Sequence, residues 1–195
     1  MDKQTTAVLA VDCQNGFTMR CPNELGIHGT DETWIEKVQN FLKRSHEWGF
    51  KIFASIDFHP INHSSFNIWP KHCVNGTYGC EIFFNESMIT QLIKKGTRID
   101  ADSYSAFYDY IDAGEKGDFC KTVLDDKLIE HGIKNIIIIG LAGDYCVIQT
   151  IKDAIKFGYK VYYASEYIKS VDGRKISEIL QEMELKEYTE EIIEE

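Results

Sequence analysis

The stretch KNIIIIGLAGDYCVIQTIKDAIKF, residues 134–157, decides the fold class. It opens with Ile136-Ile137-Ile138-Ile139, an unbroken β-branched run that suits a strand covered on both faces, as in a parallel sheet. Gly140 and Gly143 punctuate a turn. From Asp144 the spacing becomes helical, with Val147, Ile151, Ala154 and Ile155 on one apolar stripe. Cys146 thus falls at a strand-to-helix junction, in the first turn of a helix predicted over 144–157. Free N–H groups and the partial positive charge of a helix start favour a thiolate there. The alternative is an inert core thiol, the commoner fate of a free cysteine.

Working outward, the 195 residues suffice for a single domain, 1–195, with a substantial core. A net charge of −10 argues against nucleic-acid or anionic-membrane partners. The six cysteines contain no CxxC pair, so a zinc ribbon is a poor reading. The first residues lack the flanks and length of a signal peptide, and no apolar segment is long enough to span a membrane. A reducing cytoplasm is the expected setting.

Thr5 to Val11 reads as a first buried strand, ended by Asp12, and Phe50 to Ile56 as a second, ended by Asp57. The carboxyl edge of an open α/β sheet is where ligands bind, although an Asp there also serves simply to cap a turn. A helix is predicted from Thr30-Asp31 to about Trp48, closed by Gly49. A short helix is expected over 87–94 and a short strand from Lys95-Gly96. Further predicted elements are a helix at 121–131, strands at 134–140 and 159–164, and a helix at 175–185. The acidic tail from Tyr188 either adds an edge strand or frays. Strands alternating with helices predict a three-layer α/β/α fold around a mostly parallel sheet.

Residues 57–86 form a long stretch without regular pattern, too aromatic for disorder. It gathers Asp57, His59, His63 and His72, all good ligands for a divalent metal. Asp57 and His59, two apart, point the same way from an extended strand end. The competing reading makes two of these histidines ordinary solvated loop residues.

Four motifs are read together: Asp12-Cys13-Gln14-Asn15-Gly16-Phe17; Asp57 to Phe66 followed by Trp69 to Cys73; Lys95-Gly96 with Asp102 to Phe107; and Gly140 to Thr150. In this order they resemble the nicotinamidase branch of the isochorismatase-like cysteine hydrolases, over most of the chain. The resemblance implies a Cys146–Asp12–Lys95 triad. It implies a divalent metal, zinc first with iron or manganese also suited, on Asp57, His59 and His72, with His63 as second choice. It places Phe17, Trp69 and Tyr104 against a pyridine ring, makes Leu141–Ala142 a cis peptide, and gives an oxyanion hole from the backbone N–H groups of Ala142 and Cys146. The implied reaction is hydrolysis of nicotinamide, and of pyrazinamide, to acid and ammonia, as in NAD salvage; a homo-oligomer is a separate expectation. Three departures stand out: Gly16 where relatives carry an acid, Gly143 where Thr or Ala is frequent, and the inserted residues 19–29. Two rivals remain open: another amidase on the same fold, which keeps the triad without the metal set, and a non-catalytic module with a structural or redox-sensing Cys146.

Overall fold

The computed structural model describes residues 1–111 and 119–193. Six strands form one sheet: β1 (Thr6–Val11), β2 (Lys51–Asp57), β3 (Ile89–Lys95), β6 (Asn135–Leu141), β7 (Lys160–Lys169) and β8 (Thr189–Glu191). Their order is β3-β2-β1-β6-β7-β8, and each neighbouring pair is parallel. A separate antiparallel hairpin pairs β4 (Tyr108–Ile111) with β5 (Phe119–Lys121). The helices are α1 (Glu32–Glu47), α2 (Leu124–Glu130), α3 (Ile148–Lys156) and α4 (Ile176–Glu182).

The isoleucine run shows why the sheet is buried on both faces. Ile136 and Ile138 pack with Leu9, Phe53 and residues of α2, α3 and α4. Ile137 and Ile139 pack with Val8, Ile52 and the Trp34, Val38 and Leu42 face of α1. Side chains of a strand alternate between faces. A run with no polar member is therefore what a strand between two helical layers requires. The expected three-layer architecture is observed.

α1 starts where Asp31 accepts a hydrogen bond from Trp34 N (3.0 Å), satisfying one of the unpaired N–H groups of the first turn. It ends at Trp48, after which Gly49 takes φ +91°.

Several boundaries differ from the sequence expectation. Residues 87–94 are not a helix: a 3-10 turn at Glu86–Met88 leads into β3, and Lys95 ends that strand instead of starting one. Met88, Leu92 and Ile93 carry helical spacing, but pairing with β2 wins, as tertiary context commonly overrides local propensity. The helix expected over 144–157 splits into a π-helical turn, Gly143–Val147, followed by α3. The strand expected at 159–164 continues to Lys169, and the tail does pair at the sheet edge as β8, as one of its two readings held. The β4–β5 hairpin had no sequence expectation.

Ile138 is fully buried, so Ile138→Ala removes its packing without touching the sheet edge. We expect a loss of about 2–5 kcal/mol in urea unfolding, with the native circular dichroism spectrum kept; an unchanged unfolding midpoint would contradict the packing role.

Candidate active site

β1 lies between β2 and β6, and the chain order reverses at the β1–β6 pair. Such a switch point opens a crevice beyond the carboxyl ends of the strands. Four chemistry-bearing residues sit there: Asp12 just after β1, Asp57 at the end of β2, Lys95 at the end of β3 and Cys146 in the turn after β6.

Asp12 takes φ +47°, turning the chain away from β1. Ser55 on the neighbouring strand holds it: Ser55 Oγ donates to Asp12 Oδ1 (2.7 Å), and Asp12 N donates to Ser55 O (3.1 Å). The other carboxylate oxygen, Oδ2, lies 3.0 Å from Lys95 Nζ. Lys95 is fully buried, and its ammonium also touches Asp57 Oδ1, Ser103 O (3.2 Å) and Cys146 Sγ (3.6 Å). One buried cation thus joins two carboxylates and the thiol.

The charges follow from that geometry. Burial pushes the Asp12 carboxyl up to about 6, against the opposing pull of Lys95. Burial alone disfavours the Lys95 charge, but Asp12 and Asp57 outweigh it and hold the ammonium well above its usual range. Burial also pushes the Cys146 thiol well up, with Lys95 pulling against it and Asp12 adding to the rise. Desolvation thus opposes the thiolate that the helix start and Lys95 favour, with the Asp12 carboxylate beside the thiol.

Asp57, His59 and His72 converge, with ligand atoms within 4.8 Å of one another. His59 Nδ1 bonds Gly96 O (3.0 Å) and His72 Nδ1 bonds Pro70 O (2.6 Å). Each backbone carbonyl accepts a hydrogen bond from Nδ1–H, so the proton stays on Nδ1 and the neutral ring offers its lone pair at Nε2. Those Nε2 atoms point at Asp57 Oδ2, at 3.5 and 3.9 Å. His59 Nε2 is buried and has no hydrogen-bond partner. A carboxylate with two correctly tautomerised imidazoles, one of them orphaned, fits a divalent ion. His63 stacks on His59, with ring centroids 4.0 Å apart, and forms a second grouping with His59 and Asp102. Both its ring nitrogens are already engaged, by Ser65 Oγ (2.7 Å) and Ala101 O (3.2 Å).

Phe17, Trp69 and Tyr104 all line a small cavity of about 20 Å³ that also meets Asp57, His72, Ala142 and Cys146. Sequence reasoning missed four of its walls, Leu25, Asp102, Tyr145 and Val171. Tyr145 packs edge-on against Trp69 (4.9 Å) and tilted against Tyr104 (5.4 Å); it stands inside the Gly140–Thr150 motif, which was its only available signal. Trp69 Nε1 donates to Tyr104 OH (3.3 Å), and that pair separates the cavity from an outer groove of about 560 Å³. Gln14 was also missed. Its amide donates to Asp57 O (2.8 Å) and Cys80 O (2.9 Å), while its carbonyl accepts from Asp57 N (2.8 Å), fixing the strand end. The Leu141–Ala142 peptide is cis, as the resemblance implied.

The departures have local explanations. A Cβ at Gly143 would lie 2.4 Å from Ser170 Oγ, and one at Gly16 would lie 2.5 Å from the Glu24 carboxylate. Within residues 19–29, Leu25 N donates to Gly16 O (3.0 Å), which seats the insertion against the cavity.

Fold and site together define an α/β protein with a buried ionisable cluster at the switch point of a parallel sheet. The chain belongs to the isochorismatase domain family, whose model matches residues 6–193. It is 33% identical to the nicotinamidase of Escherichia coli K12 over 187 residues, covering 85% of this chain and 84% of that protein. Among solved structures, the pyrazinamidase of Pyrococcus horikoshii in complex with zinc is similar at 30% identity and TM-score 0.81, covering 96% of this chain and 98% of that one. A protein of L. infantum in complex with nicotinate is similar at 27% identity and TM-score 0.80, covering 98% and 94%.

Replacing Lys95 with Met removes the only cation in contact with Sγ among the described residues. We expect the alkylation of Cys146 by iodoacetamide to slow and its pH profile to move upward, because the neighbouring cation that pulls the thiol down is gone. An unchanged profile would remove Lys95 from that role.

Proposed function

We propose that the chain is a nicotinamidase, a cysteine amidohydrolase that converts nicotinamide to nicotinate and ammonia. The observation that carries this reading is Lys95 Nζ, 3.6 Å from Cys146 Sγ and 3.0 Å from Asp12, beside a convergent Asp–His–His set. The similarity to the nicotinamidase of E. coli supports the substrate class. Pyrazinamide is a second expected substrate, consistent with the likeness to the P. horikoshii pyrazinamidase.

The residues take the following roles. Asp12 accepts the Cys146 thiol proton, and the sulfur attacks the carboxamide carbon while Lys95 holds the developing charges. Backbone N–H groups of Ala142 and Cys146 receive the oxyanion, a contact whose loss typically costs roughly 3–4 kcal/mol. Collapse breaks the C–N bond, and Asp12 passes its proton to the departing ammonia, leaving a thioester. Water then gives a proton to Asp12 and attacks the thioester carbon; the C–S bond breaks, Asp12 returns that proton to the sulfur, and the nicotinic acid formed ionises to nicotinate. Phe17, Trp69 and Tyr104 hold the ring and exclude water. Asp57, His59 and His72 would hold a divalent ion, zinc first, with iron or manganese also compatible with the donors; when bound it supplies a Lewis-acid site suited to a pyridine nitrogen. A reducing cytoplasm suits the thiol nucleophile. Among the described residues no helix is long and apolar enough to cross a membrane.

Ammonia release from nicotinamide tests the reading directly. Cys146→Ala is expected to reduce it to background while the fold and ligand binding persist; substantial release by that variant would dismiss the nucleophile assignment. Removing the metal with a chelator is expected to stop turnover and re-addition to restore it, whereas full activity in protein shown to be metal-free would favour the metal-independent amidase rival. Asp12 must be ionised to act as base. With its carboxyl raised to about 6, kcat/KM measured with metal in excess should fall about tenfold per pH unit below that point. A flat profile down to pH 5 would remove Asp12 as the base.

A further inference from the structure

Glu24 has no part in the chemistry above, yet its carboxylate is seated with unusual care. It comes from the inserted segment and reaches across the chain to Cys73 N, which donates to Glu24 Oε2 at 3.0 Å. The space it fills exists because two positions lack side chains. A Cβ at Gly16 would lie 2.5 Å from Oε2, and a Cβ at Gly79 would lie 2.1 Å from both carboxylate oxygens. An L side chain at either position would displace it.

Cys73 is where that contact matters. Its φ is +48°, in the left-handed region that non-glycine residues seldom occupy. It is fully buried, and its carbonyl accepts the N–H of His59 (3.2 Å). It directly follows His72. A single peptide turn therefore links the two imidazoles, bonded to His59 through its C=O and anchored to Glu24 through its N–H. A half-buried carboxylate given to a main-chain N–H is a costly arrangement unless it fixes something.

We infer that Glu24 is a positioning residue for the metal-binding set: its carboxylate, held in the Gly16–Gly79 notch, fixes the His72–Cys73 turn and so the direction of His72 Nε2. The inference rests on the metal-site reading above, and it predicts an effect on ion affinity in addition to turnover. Partners behind the ligands typically change metal affinity by about 10–100-fold when removed.

The test measures zinc affinity of the purified chain by competition with a chromogenic chelator. Glu24→Ala is expected to weaken binding at least about tenfold, with circular dichroism unchanged. Glu24→Gln keeps an acceptor oxygen and should bind within about threefold of the unmodified chain, the range expected if hydrogen-bond geometry governs. Gly79→Ala should weaken binding as Glu24→Ala does, because its methyl evicts the carboxylate. Added to Glu24→Ala it should cost little more, the non-additivity of a shared contact. Equal affinity of the Glu24→Ala and unmodified chains would overturn the positioning role while leaving the metal reading intact. Glu24→Gln as weak as Glu24→Ala would overturn it in favour of charge alone, and additive losses in the double variant would overturn the notch. An unmodified chain that binds no zinc, iron or manganese would overturn both readings.

Discussion

The buried ammonium of Lys95 is the interaction on which the site depends. A charge with no solvent exposure survives only where opposite charges surround it. Asp12 and Asp57 provide them, one at the end of β1 and one at the end of β2. The same cation touches the Cys146 sulfur and the Ser103 carbonyl. Removing it would leave two carboxylates facing one another in a low-dielectric crevice. The thiol chemistry and the carboxylate of the Asp–His–His set are thus electrostatically one unit, and neither can be altered without disturbing the other.

What the sequence made legible was whatever is written in local pattern. The Ile136–Ile139 run gave the doubly covered strand, and the Asp12 and Asp57 strand ends gave the active edge. The tautomers of His59 and His72 were not legible, because they depend on carbonyls of Gly96 and Pro70 that only the fold brings near. The upward push of burial on the Cys146 thiol was not legible for a similar reason. Helix position can be read from a sequence, but complete desolvation cannot. β3 was misread because Met88, Leu92 and Ile93 satisfy a helical period, while the decisive term is backbone pairing with β2. Tyr145 and Leu25 escaped notice because their role lies in what they enclose, and enclosure has no local pattern.

The two glycine departures, at 16 and 143, look like losses when the chain is compared with its family by motif alone. In three dimensions each is a vacancy taken by another side chain, Glu24 in one case and Ser170 in the other. Volume in a packed interior is conserved more strictly than the position that supplies it. Motif departures therefore need to be judged in pairs with whatever occupies the freed space.

The scattering of Asp12, Asp57, Lys95 and Cys146 over four strand ends has a consequence for how the protein comes into being. No contiguous piece of the chain shorter than the span from residue 12 to residue 146 contains all four, and parallel pairing is non-local at every step. A nascent or truncated chain holding only the first three strands contains the two acids and the amine but not the Cys146 thiol. The cluster of two acids, an amine and a thiol is therefore complete only once β6 pairs with β1.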